Sequence, residues 1–303
     1  MIQRVAIFTD DPGWHGARLR KAFLACGCDA RFVSLKDCAI DLSSDAPLCL
    51  PGFESSLPDA AFVRGVPGGS LEQVVFYLDV LHVLKNLDVP VYNDGRAIER
   101  SVDKGMTSFL LRRAGVPMPP TWITADVDHA RSLVMRELAA GHELVCKPLF
   151  GAQGVGLRRV RAGDSLPPIE TYRGIYYVQR YIDTGEGAWH DWRVFVIGGR
   201  AVAAMRRNGV SWISNVASGG RCQPAVLDEP LRDLAEATVA TVDMNYGGVD
   251  IIRDTQGGAW VVEVNSIPAW KGLQSTCNVD VAELLVNDFL RHCEQGRVVE
   301  VAG

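Results

Sequence analysis

Residues 248–265, Gly-Val-Asp-Ile-Ile-Arg-Asp-Thr-Gln-Gly-Gly-Ala-Trp-Val-Val-Glu-Val-Asn, leave the chain little local freedom: they read as two apolar strands joined by a glycine turn. Pairing Asp250 with Glu263 puts the centre of this hairpin between Gln256 and Gly257, so a turn there sets the two acids opposite one another. Glu263 and Asn265, two apart on one strand, share a face. Three oxygen-bearing side chains therefore converge among Val249, Ile251, Ile252, Val261, Val262 and Val264, a setting too apolar to solvate such charge freely. Hard oxygen donors, few in number, suit Mg²⁺ shared with phosphate oxygens. A single hairpin carboxylate is ordinarily a solvated surface group, so the paired arrangement matters.

A phosphate site is expected upstream, in Leu144-Val-Cys-Lys-Pro-Leu-Phe-Gly-Ala-Gln-Gly-Val-Gly156. Lys147 ends a strand and brings a point charge, while Gly151, Gly154 and Gly156 let backbone N–H groups approach phosphate oxygens. The run lacks the Lys-Ser/Thr ending of a P-loop. It is followed by a predicted strand over residues 155–160, whereas a dinucleotide fingerprint opens a helix. On its own such a run is more often a tight turn, and the metal hairpin is what turns the reading toward ATP.

The surroundings agree with an enzyme of small anionic ligands. The chain has 303 residues, 48% hydrophobic and 22% charged, enough for two or three lobes around large cores. A net charge of −5 and scattered Lys and Arg exclude a nucleic-acid surface. The 8 cysteines form no C-x-x-C pair or zinc spacing, so reduced thiols in a cytoplasmic protein are expected. The apolar start is too short for a signal peptide, and no segment is long enough for a membrane span.

Strands over residues 5–8, 30–35, 60–66 and 89–92 alternate with helices over 16–26 and 71–84, giving an α/β lobe at residues 1–97. His15 and Trp14 sit in its first strand-to-helix loop, either as a ligand position or as an ordinary helix start. Helix 103–113, strand 122–124, helix 128–140 and strands 143–147, 155–160 and 175–182 form an α+β unit at 98–182. Residues 183–303 add hairpins at Gly198-Gly199 and Gly257-Gly258 and a final helix over 279–291.

The order Lys104, Lys147 with its glycine loop, Gln179-Arg-Tyr-Ile182, Asp191-Trp-Arg193, Ala203-Ala-Met-Arg-Arg207, Ser214-Asn215, Asp250 and Glu263-Val-Asn265 resembles the ATP-grasp superfamily, most closely its RimK-like α-L-glutamate ligases. The resemblance covers roughly residues 98–295. It implies an N-terminal pre-ATP-grasp α/β domain followed by a two-subdomain ATP-grasp fold, α/β and α+β in class. It further implies that Lys104 and Lys147 hold phosphates under a Gly151–Gly156 lid, and that Gln179, Arg180, Tyr181 and Ile182 form the hinge strand facing adenine. Relatives often carry an acid where Arg180 stands. Asp191 would lie near the ribose, Ser214 and Asn215 near the phosphates, and Asp250, Glu263 and Asn265 on one or two Mg²⁺, with Mn²⁺ as an alternative.

The implied chemistry is amide formation through an acyl phosphate, with arginines neutralising the transferring phosphoryl group. Arg193 and one of Arg206 or Arg207 are the catalytic candidates. A two-residue turn at Gly198-Gly199 pairs Asp191 with Arg206, the family alignment favours Arg207, and a β-bulge would reconcile them. Relatives carry an arginine before the paired glycines of Asn215-Val-Ala-Ser-Gly-Gly-Arg221; here Arg221 either replaces it or the acceptor differs. Trp270 either stacks on a flat acceptor or packs in the interior. Its Trp-Lys-Gly setting resembles ligases that add L-glutamate to tetrahydromethanopterin-type coenzymes. Rival acceptors are a ribosomal protein tail and an amino-group carrier protein. A non-ligating ATP-binding module and a small-molecule kinase are rivals of other classes. Expected partners are a small-molecule carboxylate acceptor, L-glutamate and a second copy of the chain, with no nucleic acid or membrane.

Overall fold

The computed structural model describes residues 2–151, 154–185, 189–214 and 219–301, with side chains described through residue 295. Chain order begins β1 (Arg4–Phe8), α1 (Gly13–Ala25), β2 (Asp29–Val33), β3 (Ala39–Ile40), β4 (Leu48–Cys49), β5 (Ala60–Val63), α2 (Leu71–Asn86) and β6 (Val91–Tyr92). β2-β1-β5-β6 form a parallel sheet, and β3 and β4 a small antiparallel pair. Successive residues of β1 serve opposite faces. Val5 and Ile7 pack with Leu19 and Phe23 of α1, whereas Ala6 and Phe8 pack with Tyr77, Val80 and Leu81 of α2. Ser70 and Gln73 form a capping box that starts α2.

α3 (Gly95–Val102) and α4 (Lys104–Arg113) lead into β7 (Thr121–Thr124), α5 (Val127–Ala139), β8 (Leu144–Lys147), β9 (Arg158–Val160) and β10 (Tyr176–Arg180). Their antiparallel sheet runs β7-β10-β8-β9. β9 is shorter than the strand expected over residues 155–160. Gly154 and Gly156 hold φ of +73 and +78, in the left-handed region that ends a strand, and a Cβ on Gly156 would meet Pro148 Cγ at 2.7 Å.

The remaining elements are β11 (His190–Ile197), β12 (Arg200–Asn208), β13 (Arg221–Pro224), α6 (Glu229–Thr241), β14 (Tyr246–Arg253), β15 (Ala259–Asn265), α7 (Lys271–Gln274) and α8 (Val281–Val301). Five antiparallel strands order as β13-β12-β11-β14-β15. One face of this sheet packs on α6 through Val194, Val196, Val249 and Val264. The other contributes Phe195, Met205 and Tyr246, joined by Trp270 from the loop after β15, to the core that also holds α1, α8 and β1. α8 thus returns to the N-terminal sheet, with Phe289 edge-on to Phe23 at 5.2 Å. No described helix is long and apolar enough to cross a membrane.

Candidate active site

Two hairpins of the five-stranded sheet set the floor of a cleft, and both owe their register to an extra residue. In β11–β12, Gly198-Gly199 form the turn, yet Phe195 pairs with Ala203 while Val196 pairs with Ala201, so Val202 is a bulge. Beyond it Asp191 faces Arg207, which settles the register left open between Arg206 and Arg207. Arg206 turns instead to Gln223 at 3.0 Å. In β14–β15, Asp250 faces Glu263 as expected, but for a different reason. The turn is a five-residue loop closed by Asp254 N–H to Gly258 O at 2.9 Å, centred on Gln256, and the extra residue Val262 shifts the register before Glu263 is reached. The turn alone would have set Asp250 opposite Val262.

Asp250 is nearly fully buried, at 3% exposure, and both its oxygens are engaged. Arg193 donates to it through Nε and Nη2 at 2.7 Å each, and Arg207 Nη2 lies 2.8 Å away. Arg207 also donates Nε and Nη2 to Asp191 at 2.7 and 2.6 Å, and Ser214 donates to Asp191 Oδ2 at 2.6 Å. Burial works to raise the Asp250 pKa, but the two guanidiniums outweigh it and hold the carboxyl below its ordinary range. Glu263 shifts in the opposite sense: burial and then Asp250 push its pKa up, against the pull of Lys104, Lys147 and Arg193.

The opposite wall carries the lysines. Asp103 caps α4, accepting from Gly105 and Met106 N–H at 2.8 and 3.0 Å, which orients Lys104 at the first helical position. Lys104 Nζ donates to Gly151 O at 2.7 Å and lies 3.9 Å from Glu263. Lys147, at the end of β8, donates to Gln179 Oε1 at 2.6 Å, and Gln179 Nε2 is tied to Thr121 at 2.9 Å. Burial, relieved by Glu263 and deepened by Lys104, lowers the Lys147 pKa to about 8, so the ammonium is still mostly charged near neutral pH.

Between these walls lies a cavity of about 170 Å³ lined by Lys104, Lys147, Gly151, Gly154, Gln179, Arg180, Tyr181, Ile182, Asp191, Arg207, Ser214, Asp250 and Glu263. Arg193, Gly156 and Asn265 do not line it. Arg193 reaches it only through Asp250, and Gly156 backs onto Pro148. Asn215 lies outside the described residues. Asp191, expected near a ribose, lines the cavity and is bonded to Arg207 and Ser214. Arg180 lines the cavity and pairs with buried Glu137 at 2.6 Å. Apolar and aromatic lining from Pro119, Val145, Trp189, Trp212, Ile252 and Val262 went unread in the sequence, since no periodicity marks which strand residues face a cleft. Trp270 does not line the site; it is fully buried against Phe195 and His15, so stacking on an acceptor is ruled out.

Lys104, Lys147, Arg193 and Arg207 face Asp191, Asp250 and Glu263, a cationic excess of a single charge. That excess cannot balance a bound triphosphate of about four negative charges, which leaves room for divalent cations. The donor chemistry fits Mg²⁺: Glu263, the carboxylate not already held by arginine, would hold it with Asp250 and the side-chain oxygen of Asn265. Among the described residues no three His, Cys, Asp or Glu side chains form a metal cluster, the third expected ligand here being the amide of Asn265.

Residues 101–289 match the profile of the RimK-like ATP-grasp domain. The tetrahydromethanopterin:alpha-L-glutamate ligase of Methanococcus maripaludis is 32% identical over 241 residues, spanning 78% of this chain and 80% of its own. The probable alpha-L-glutamate ligase of Syntrophotalea carbinolica is 29% identical over 310 residues, 97% of each chain. In fold, the chain is similar to the ATP-grasp ligase PsnB complexed with minimal precursor, with a TM-score of 0.73 at 21% identity over 96% of this chain and 99% of that one.

Proposed function

The chain belongs to the RimK-like ATP-grasp family, among ATP-dependent α-L-glutamate ligases, and from that membership we propose that it adds L-glutamate to the carboxylate of a tetrahydromethanopterin-type coenzyme. The observation that carries the reading is the convergence of Lys104, Lys147, Asp250, Glu263 and Arg207 on one cavity. The coenzyme as acceptor is supported by relatives named for it in three organisms at 31–32% identity.

Lys104 and Lys147 hold the nucleotide phosphates, with the Gly151 and Gly154 backbone beside them. The apolar lining and the hinge residues Gln179 to Ile182 receive the base, with backbone groups doing the recognition, and Ser214 lies near the phosphates. The acceptor carboxylate attacks the γ-phosphorus and ADP leaves; the glutamate amine then displaces phosphate from the acyl carbon. Arg207, held rigid by Asp191 and Asp250, presents positive charge to the transferring phosphoryl group without reorganising, and Arg193 backs it through Asp250. Mg²⁺ on Asp250, Glu263 and Asn265, or Mn²⁺ in its place, supplies further neutralisation when bound. The protein works as a homo-oligomer, in the cytoplasm, and without nucleic acid.

Incubation with ATP, Mg²⁺, L-glutamate and a tetrahydromethanopterin-type acceptor yields, by mass, an acceptor extended by one glutamyl residue, with matching ADP and phosphate. Extension of a ribosomal protein tail or an acidic carrier protein instead moves the acceptor and keeps the ligase. A product gaining phosphoryl mass, or ADP release that ignores the amine, sinks both.

A further inference from the structure

We propose that Arg64 binds a carboxylate of the incoming amino acid and so helps to select it, an inference that rests on the ligase reading above. The N-terminal sheet runs β2-β1-β5-β6, so the chain leaves β1 toward one side and returns to the other at β5. The crevice beyond the carboxyl ends of β1 and β5 is therefore the switch point where open α/β sheets take ligands. Arg64 is the first residue past β5, and the N–H groups of Arg64 and Gly65 both donate to Phe8 O at 2.9 Å.

The loop that follows Asn265 closes this crevice. Arg64 Nη1 donates to Ile267 O at 3.4 Å, and its guanidinium lies over the Trp270 ring at 4.9 Å. His15 Nε2 accepts from the Trp270 and Lys271 N–H groups at 3.1 and 3.3 Å and pins the loop beneath the arginine. Tyr246, which donates to Val63 O at 2.6 Å, shares a strand face with Gly248 and Asp250. Arg64, next to Val63, thus sits by the sheet face that carries Asp250, at the Tyr246 end of a stretch of about 13 Å along β14.

The guanidinium itself is incompletely satisfied. Among the described residues no carboxylate lies within ion-pairing distance of it, and its Nε is buried without a partner. One long hydrogen bond and an indole face do not compensate a charge so far removed from water. Asp11 is the nearest acid with any influence, and Lys271 adds positive charge to the same loop. The guanidinium thus lies past the end of β5, under the loop after β15, with its charge unanswered.

Titration calorimetry on protein loaded with Mg·ADP tests this with L-glutamate, L-glutamine, glutarate and L-lysine as probes. Arg64→Met keeps the volume over Trp270 and removes the charge. We expect it to weaken L-glutamate binding at least about tenfold, with Arg64→Lys recovering part, because charge-assisted bonds to carboxylate are lost. Mg·ADP affinity and melting temperature should not fall. Equal glutamate affinity in the variant overturns the assignment of Arg64 and leaves the glutamate ligase reading intact. Binding of another probe through Arg64, without glutamate, keeps the anion site and overturns glutamate as substrate. A parallel loss of Mg·ADP affinity, or no binding of any probe by the unaltered protein, overturns the proposal.

Discussion

The arginines on the cleft floor and the arginine of the N-terminal crevice are both largely withdrawn from water, yet they are treated oppositely. Arg193 and Arg207 make five contacts of 2.8 Å or less to Asp191 and Asp250. Arg64 makes one at 3.4 Å, to a carbonyl. The first pair is aimed in advance by its neighbours and needs no ligand to hold its place. The second retains an unanswered charge, which is what an anion site requires. On the roles proposed above, saturation marks the arginines that serve the chemistry, and its lack the arginine that recognises a ligand.

The largest effect should come from Asp250→Asn, which leaves two guanidiniums facing each other in a buried space. Urea unfolding should record a loss of about 3–5 kcal/mol, against less than about 1 kcal/mol for Arg64→Met. Similar losses in the two variants would erase the distinction. Next, Glu263→Gln should lower turnover at least about a hundredfold while stability holds or rises, because burial and Asp250 already penalise its charge. An active variant would remove Glu263 from the metal assignment.

Lys147→Met should weaken Mg·ADP about tenfold or more in calorimetry, where Arg64→Met does not, since our proposal puts only the former on phosphate. The smallest effect concerns His15, the pin of the crevice loop. Burial first, then Arg64 and Lys271, lower its pKa from 6.5 to about 4, against Asp11. The fold thus requires the neutral ring. Its contribution is complete above 6.5 and declines as pH falls from there toward 4, so melting temperature should drop in that window. His15→Asn, which keeps an acceptor but does not titrate, should flatten the decline.

Much of this was readable in advance, though not always for the right cause. Apolar runs and glycine turns sufficed for the alternation of β1, α1 and β2 and for both hairpins. The pairing of Asp250 with Glu263 was anticipated from a turn position that the chain does not use, and is recovered because Val262 bulges. α6 went unread although Asp228 caps it and Pro230 sits in its first turn, the ordinary marks of a helix start.

The chemistry of the cleft was set by residue type and order along the chain: lysines before a glycine loop, acids and an amide on paired strands, arginines on the strand between. Those are local properties, since strand period and turn residues act over a few positions. What only tertiary structure decided was which of these groups are already matched. Val202 chose Arg207 over Arg206, packing of Phe195 and His15 withdrew Trp270 from any ligand, and the return of the loop after β15 to the N-terminal sheet left Arg64 over an indole without an acid. Bulges and long-range contacts depend on the sum of packing over the whole core, and no window of sequence contains that sum.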